Sequence, residues 1–343
     1  MRPPRIRIAG TSFEPEVLGF KLGSIDFDRN AQDLGLGAEL TALSNMLLDA
    51  AIELAAASKS DILLLHFDEL DQGITAFDEG RARMLTGLLL AARDIRQQTK
   101  DRPVPVNPVV YLRTDLWDDL AFSDKNKISQ TAALNLEWES ESLFALVNAR
   151  LDVRIGKNVE WVDITTANAM RGSQTKWNHI LSRTFLRPRD AIKFLNAALS
   201  EAKKRDGDPL LLDNEDVTNA RDNSYSVYLK AELDDEIIAH WARWDDALQG
   251  CSAISTITFT RDEFVPEYDC RKSKDNNVTA EQALELLYRF SVIGYERRSG
   301  YGGTSWAFQY TNPEAGWDNG AMRFKMHLGL KEYTKLREER LLT

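Results

Sequence analysis

A short apolar segment followed directly by two acids constrains the fold more than any other part of this sequence. Residues 62–67 read Ile-Leu-Leu-Leu-His-Phe, and Asp68 and Glu69 follow them. An uninterrupted apolar run is typical of a strand that is buried on both faces, as in a parallel sheet. We therefore predict a buried parallel strand that delivers carboxylates to its C-terminal edge, where open α/β sheets bind ligands.

The segments around this strand alternate between helical and strand patterns. The other elements predicted here are helices over 39–57, 79–98 and 139–154, a buried strand at 109–112 and a short strand at 132–136. Strands that alternate with helices favour an α/β domain with a parallel sheet, which we place at residues 1–155. Within it, residues 1–36 have no predicted role.

After this region the sequence predicts mostly helices. Their expected ranges are 190–204, 213–228, 231–249 and 280–290, the last with Thr279 as its N-cap. Two short apolar runs then flank a glycine-rich turn at 298–304. A helix followed by two such strands is the outline of a winged helix. We therefore expect a helical region at 156–230 and a winged-helix-like domain at 231–343.

Composition excludes several classes of function. The 343 residues carry a net charge of −10, so no global positive field attracts nucleic acid. The two cysteines are not spaced as CxxC and the four histidines are scattered, which predicts a cytoplasmic protein with free thiols and no structural zinc. The basic N-terminus lacks an apolar stretch and the apolar runs are short, so we expect neither a signal peptide nor a membrane span.

The two acids that follow the first strand, Asp68 and Glu69, have side chains suited to binding a metal ion and activating a water molecule. Asp68 would hold Mg²⁺, which prefers oxygen ligands and keeps part of its water shell. Glu69 would act as the general base on an attacking water. The alternative is that these acids are an acidic exit from the strand that caps the next element.

Arg113 takes the corresponding position after the second strand. A guanidinium pairs bidentately with phosphate oxygens, which would suit a phosphate sensor. The alternative is a structural ion pair with Asp115 or Asp68.

The order of five segments carries a resemblance to a known family. These segments are FDELD, VVYLRTDLWDDL, DKNKI, LNLEWESESLFALVNARL and LSRTFLRPRDAIKFLNAAL. Together they resemble bacterial STAND-type (AAA+-related) P-loop ATPases, from the Walker B motif to the C-terminal winged helix. The resemblance implies an incomplete α/β parallel-sheet P-loop NTPase-like core, a helical lid and a winged-helix domain. It also implies a nucleotide-dependent switch in bacterial signalling or defence against phage.

The resemblance assigns roles by position. Asp68 and Glu69 match the Walker B pair, with Asp68 as the metal ligand and Glu69 as the catalytic base. Arg113 matches sensor 1, and Arg189 in the lid matches a sensor 2 that reaches the phosphates. The implied cofactors are ATP and Mg²⁺. For Arg189 the alternative is a salt bridge with Asp190 or Glu201.

One expected motif is missing from the sequence. No string fits G-x-x-x-x-G-K-[ST], and the nearest one, residues 19–24, has the wrong spacing. The backbone N–H groups of that loop cradle the phosphates, so binding of ATP and Mg²⁺ is conditional on a phosphate-binding loop. The chain is then either a fragment whose loop lies upstream or a decayed relative that no longer hydrolyses ATP.

The alternative to a switch is a non-hydrolysing scaffold that binds itself, a partner protein or DNA. In the winged helix the candidate phosphate contacts are Arg289, Arg297, Arg298, Arg323 and Lys325. From 281 to 343, nine Lys/Arg face eight Asp/Glu, which gives little electrostatic attraction for a duplex. Regulatory packing is therefore favoured over DNA binding.

Overall fold

The computed structural model describes residues 16–17, 20–21, 34–71, 77–156, 158–205, 211–298 and 303–338. Most of residues 19–24 and the tip of the glycine-rich turn, 299–302, lie outside these ranges. The chain divides into two compact units, Met1–Ala132 and Ala133–Thr343. The finer division at residues 155 and 230 stays a prediction.

The described part of the first unit contains four helices and two separate two-stranded sheets, β1–β2 and β3–β4. Its elements are β1 (Glu16–Val17), β2 (Phe20–Lys21), α1 (Leu34–Ala57), β3 (Leu63–Phe67), α2 (Glu79–Thr99), β4 (Val106–Val110), α3 (Thr114–Asp119) and α4 (Lys125–Ala132). The two helices predicted before and after the apolar strand are confirmed as α1 and α2, although α1 begins five residues earlier than its apolar periodicity indicated.

Strands β3 and β4 pair in parallel, as the alternation of helices and strands predicted. The register runs from Leu63 opposite Val106 to Phe67 opposite Val110, with α2 as the connection between the strands. Because the strands are parallel, both of their C-terminal ends reach the same edge of the sheet. At that edge Asp71, in the turn after β3, lies 3.0 Å from the guanidinium of Arg113, which follows β4.

The prediction that β3 is buried on both faces was wrong. Its residues alternate between half-buried and exposed, and Leu64 is 48% exposed. Leu63 and Leu65 pack instead against the small core that includes Ile52 and Val106. The physical reason is that, among the described residues, the apolar core of this sheet lies on one face only. Leu64 and His66, on the other face, are therefore exposed.

Near the start of β4, a side chain bonds to the backbone at the edge that faces away from β3. The hydroxyl of Thr99 accepts from the N–H of Val106 at 3.1 Å and donates to the carbonyl of Ile95 at 2.8 Å, while the carbonyl of Val106 lies 3.3 Å away. Two residues later, Pro108 has no N–H to donate, which is typical of an edge strand. β4 also begins three residues before the predicted strand because the pairing runs through Pro108.

The strand predicted at 132–136 was also wrong. Helix α4 occupies residues up to Ala132, and the segment 133–139 has no regular structure. Leu134 and Leu136 are 84% and 76% exposed. The alternation of apolar and polar residues is real, but none of the described residues forms a ladder with this segment.

The second unit is mainly helical and ends in a four-stranded sheet. Its α-helices are α5 (Ser140–Arg154), α6 (Lys176–Leu181), α7 (Pro188–Ala202), α8 (Asn214–Ala220), α9 (Ser226–Ile237), α10 (Asp245–Ile254), α11 (Arg261–Arg271) and α12 (Ala280–Arg289). Its strands are β5 (Thr258–Thr260), β6 (Ile293–Arg298), β7 (Thr304–Ala307) and β8 (Arg323–Met326).

Local signals placed several of these helices correctly. Pro188 occupies the first turn of α7, where its missing N–H costs nothing. Asp213 caps α8 and Thr279 caps α12, each within a capping box. The break predicted between 228 and 231 was wrong, since a π-helical turn, Arg221–Tyr225, joins α8 to α9 and the helix runs on to Ile237.

The C-terminal sheet has the order β5-β8-β6-β7, with all neighbours antiparallel. The inner face contributes Phe259, Phe324 and Tyr295 to a large aromatic core that also holds Phe264 and Tyr288. The helix and the two strands predicted at 280–290 and beyond are confirmed as α12, β6 and β7. Strands β5 and β8 were not predicted, because each is short and carries polar residues between its apolar ones.

One segment among the described residues has the composition of a membrane span. Glu39–Ala57 in α1 is 19 residues long with a mean hydropathy of 1.3. Only 11% of that window is buried, and a single helix of this length and composition is weak evidence for a membrane location. The expectation of a cytoplasmic protein without a membrane span stays a prediction.

Candidate functional site

The acids after β3 lie in a tight, exposed turn. The Asp68 carboxylate accepts a hydrogen bond from the backbone N–H of Glu69 at 2.8 Å. Glu69 has a φ of 55°, which is the left-handed region that residues other than glycine rarely adopt. Both side chains are exposed, and neither carboxylate forms an ion pair with any of the described residues. The turn therefore presents two negatively charged groups to solvent at the edge of the sheet.

Arg113 connects this turn to the end of β4. Its guanidinium donates to Asp115 through two nitrogens, at 3.0 and 2.8 Å, and to Asp71 at 3.0 Å. The ion pair with Asp115, one of the two alternatives for Arg113, is thus present. A phosphate sensor at this position would have to exchange part of these contacts for phosphate oxygens.

A histidine and a tyrosine at the same edge were not singled out in the sequence. His66 Nδ1 and the Tyr111 hydroxyl are 2.9 Å apart, and their rings stack with centroids 5.8 Å apart. His66 lies on the exposed face of β3, and Tyr111 directly follows β4. The signal for this pair was available, because each residue lies two positions before a candidate site residue, Asp68 or Arg113.

The acids fit magnesium better than they fit a metal held by protein alone. None of the described residues forms a group of three or more His, Cys, Asp or Glu that could hold a metal ion. Magnesium is usually held by one or two carboxylates together with substrate phosphates and water, so an exposed Asp68 suffices for it. A loop for the phosphates is lacking in the sequence.

Arg189 lies in the second unit, at the start of α7. The Arg189 guanidinium bonds to Glu232 on α9 at 2.9 Å. Its partner is therefore neither Asp190 nor Glu201, the two partners considered for an ion pair. Glu201 bonds to Lys204 at 2.7 Å, and Asp190 accepts a hydrogen bond from the backbone N–H of Phe185 at 3.1 Å. Burial raises the pKa of the Asp190 carboxyl to about 6.

A second arginine beside it, Arg187, was not predicted as a site residue. It forms a forked ion pair with Glu236, with the two nitrogen–oxygen distances at 2.5 and 3.3 Å. Its guanidinium also lies over the Phe185 ring, 5.3 Å from the centroid. The signal in the sequence was the repeated spacing, since Arg187 and Arg189 are two apart and Glu232 and Glu236 are one helical turn apart.

Buried charges join the helical part of the second unit to its C-terminal turn. Arg221, in the π-helical turn, lies 2.9 Å from Glu332. Arg183 is 4% exposed, and burial lowers the pKa of its guanidinium to about 10. Burial and the Arg183 charge lower the pKa of His179 to about 3. These groups stabilise one arrangement of the unit, because a buried charge that loses its partner is costly.

The exposed face of α12 does not suit DNA. It carries Glu281, Gln282 and Glu285, so the helix that would enter a major groove presents two carboxylates to the phosphates. Three of the candidate phosphate contacts are exposed arginines: Arg297 and Arg298 at the end of β6, and Arg323 at the start of β8.

Comparison with known families places one part of the chain. Residues 141–234 match the family described as a FunZ-associated C-terminal helical domain. The match begins in α5 and ends in α9, and it includes Arg187, Arg189 and Glu232. None of the curated proteins matches the chain. The second unit thus contains a helical region similar to this family, and the match covers well under half of the chain.

Proposed function

We propose that the chain is a nucleotide-dependent molecular switch of the STAND type, with its own metal-binding acids and without its own phosphate-binding loop. The observation that carries the proposal is the parallel pair β3–β4, with Asp68 and Glu69 after one strand and Arg113 after the other. The match to a FunZ-associated C-terminal helical domain supports it, because this helical region follows the α/β unit in the chain.

Each residue of the first unit has a proposed task. Asp68 binds a Mg²⁺ ion that accompanies the nucleotide. Glu69 accepts a proton from the attacking water and so acts as general base. Arg113 exchanges one of its carboxylate partners for phosphate oxygens, which a guanidinium binds in the same forked geometry. The phosphate-binding role predicted for Arg189, which lies in the second unit, stays a prediction.

The missing loop limits what the chain does alone. Backbone N–H groups and a lysine normally hold the phosphates in this class of site. Without them we expect weak nucleotide binding and no appreciable turnover until a loop is supplied.

The test compares Glu69→Gln with the unchanged sequence in an ATPase assay and a nucleotide-retention assay, both carried out on protein to which a phosphate-binding loop has been supplied. Glutamine keeps the size of the side chain but cannot act as the base. We expect turnover to be abolished while bound ATP is retained. Unchanged turnover in the variant would remove Glu69 from the mechanism.

A non-hydrolysing scaffold is the second candidate function. The observation that favours it is the exposed apolar segment 133–138, in which Leu134, Leu136 and Trp138 alternate with polar residues. Alternating apolar residues are typical of strands that are half-buried against a partner. The double substitution Leu134→Ser/Leu136→Ser should then weaken association with that partner, measured by sedimentation velocity, and should not change ATP binding.

A further inference from the structure

Helix α1 has two apolar faces, and within the part of the chain that the structure describes only one of them is covered. The covered face carries Ile52 and Ala55, which are 2% and 9% exposed and belong to the small core of the first unit. The other face carries Leu40, Leu47 and Leu54, which are 53%, 48% and 46% exposed. A helix that is apolar on both sides is typical of one that is covered on both sides. The exposed leucines therefore indicate an interaction surface.

The exposed leucines repeat every seven residues, which is the period of a coiled coil. If Leu40, Leu47 and Leu54 take the first position of each heptad, the fourth positions are apolar as well. These are Leu43, Ala50 and Ala57. The six residues form a seam of the kind that a second helix covers by knobs-into-holes packing. At 3.6 residues per turn, the seam lies roughly 140° around the helix from the core face, so both faces are covered without conflict.

The charges beside the seam suit a second copy of this helix in parallel orientation. The fifth and seventh positions of each heptad flank a seam, and the charged residues at these positions are Glu39 and Glu53. In a parallel pair of identical helices these glutamates face Ser44 and Ser58 of the other copy, so no two charges meet. In an antiparallel pair, Glu39 of one copy faces Glu53 of the other, and like charges repel. The parallel pair is therefore favoured.

The same charges do not suit a lipid surface. Residues 39–57 contain three acids, Glu39, Asp49 and Glu53, and neither lysine nor arginine. Helices that lie on membranes carry basic residues on their polar face, which anionic lipids attract. A seam bordered by carboxylates alone is repelled by such lipids, so a protein helix is the better partner.

We propose that α1 is a self-association surface, at which the seam of one copy packs in parallel against the seam of a second copy. The contact is isologous, because both copies contribute the same residues. It spans residues 40–57, about two and a half heptads, so we expect a weak dimer that forms as the protein concentration rises. The inference does not depend on nucleotide binding, since none of the seam residues belongs to the candidate site.

Sedimentation velocity of the whole chain over a wide range of protein concentration measures the association. The seam variant is Leu40→Lys/Leu47→Lys, which puts an ammonium group at two first positions of the seam. Thr41→Lys/Asn45→Lys is the matched control, because it adds the same charge at exposed residues on the far side of the same helix. The melting temperature and the circular dichroism of each variant check that it is folded.

We expect the unchanged chain and the control to dimerise, and the association constant of the seam variant to fall by more than about tenfold, because the seam would bury ammonium groups. A chain that stays monomeric at every concentration would overturn the proposal. An equal loss in the control would do the same, since it would show an effect of charge alone. The variant Leu134→Ser/Leu136→Ser should dimerise like the unchanged chain, and loss of the dimer in this variant alone would place the interface outside α1.

Cysteine cross-linking tests the orientation of the two helices. Cys270 is exposed and is first replaced by serine, whereas Cys251 is buried and stays. In the parallel pair, Leu40→Cys of one copy lies opposite Leu40→Cys of the other, close enough for a disulfide. Mild oxidation of this variant alone should therefore give a covalent dimer. Cross-linking only when Leu40→Cys is mixed with Leu54→Cys would show an antiparallel pair and contradict the proposal.

Flotation with vesicles tests the lipid alternative. The vesicles contain phosphatidylcholine, with or without phosphatidylglycerol, and we expect the chain to bind neither. A chain that is monomeric in solution, and that binds vesicles unless the seam carries the two lysines, would have a lipid surface as its partner. That result would replace self-association as the role of the seam.

Discussion

The guanidinium of Arg113 lies 3.0 Å from the carboxylate of Asp71, although 42 residues separate them in the chain. This contact joins the end of β4 to the acidic turn after β3. The same guanidinium bonds to Asp115 at the start of α3. Arg113 therefore fixes three neighbouring segments at the edge of the sheet, independently of any ligand.

Replacing Arg113 by methionine should destabilise the first unit. The substitution leaves Asp71 and Asp115 without this partner, and we expect a loss of about 1–2 kcal/mol in the free energy of unfolding, because the group is only partly exposed. Urea denaturation followed by fluorescence measures it. Arg96→Met is the control, since Arg96 is exposed on α2 and makes no ion pair with the described residues. Equal stability of the two variants would mean that the Arg113 network contributes nothing.

Two glycines should respond oppositely to replacement by alanine. At Gly329 an added Cβ would lie 2.4 Å from the carbonyl oxygen of Arg183 and 2.4 Å from Leu229, so we expect a loss of about 1–3 kcal/mol from overpacking. At Gly87, inside α2, nothing lies within 4 Å of the added atom, and alanine should stabilise the helix by about 0.5–1 kcal/mol. Thermal unfolding measures both effects, and a stabilising Gly329→Ala would contradict the packing described for the second unit.

Stability should fall as the pH is lowered below about 6.5, partly through His327. Burial, with the nearby charges of Arg183 and Arg187, lowers the pKa of this histidine to about 3 in the folded chain. Between the two pKa values the unfolded chain binds one more proton than the folded chain, so the unfolding free energy rises with pH over that window. In the His327→Asn variant, the slope of the unfolding free energy against pH should be smaller by about 1.4 kcal/mol per pH unit. Urea denaturation between pH 4 and 6.5 checks this, and an unchanged slope would show that His327 is not neutral in the fold.

Asp190 should act in the opposite direction. Its folded pKa is raised to about 6, mainly by burial, so the folded chain binds more protons than the unfolded chain between pH 4 and 6. Its contribution to stability is therefore lost as the pH rises through about 6. The Asp190→Asn variant keeps an oxygen that accepts from the N–H of Phe185. The fall in stability that Asp190 causes as the pH rises should therefore be absent in the variant. The difference in unfolding free energy between the variant and the unchanged chain should grow from pH 4 to pH 7. A difference that stays constant over this range would contradict the raised pKa of Asp190.

The chain should not bind duplex DNA through α12 at 150 mM salt. Glu281 and Glu285 lie on the exposed face of that helix and repel phosphates. Fluorescence anisotropy with a labelled duplex measures the affinity at several salt concentrations. Salt-sensitive binding that survives Arg297→Ala/Arg298→Ala and strengthens with Glu281→Gln/Glu285→Gln would show that α12 approaches DNA after all.

The sequence predicted the elements whose signals are local. Helical periodicity located α1 and α2, and Thr279 located the start of α12 because its side chain bonds to the first turn of the helix. The parallel pairing of β3 and β4 followed from the helix between them. The break after α9 was misplaced because neither glycine nor proline marks it, and the chain turns instead through a region where Trp241 and Trp244 are buried.

Other features depended on distant partners and were not predictable in this way. The apolar run of β3 indicated burial on two faces, whereas burial depends on what covers each face. The candidate site was predicted only at its strand end, since Asp68, Glu69 and Arg113 follow directly from their strands. The partners of Arg187 and Arg189 lie 49 and 43 residues away in the chain, on α9. No local sequence pattern predicts which residues they are.

The most direct test is calorimetric titration of this chain with ATP and Mg²⁺, repeated with Asp68→Ala. A switch that uses its acids at the edge of the sheet predicts measurable binding that is lost in the variant, because the metal loses its protein ligand. Binding of equal strength in both proteins, or binding in neither, would contradict a nucleotide site at Asp68.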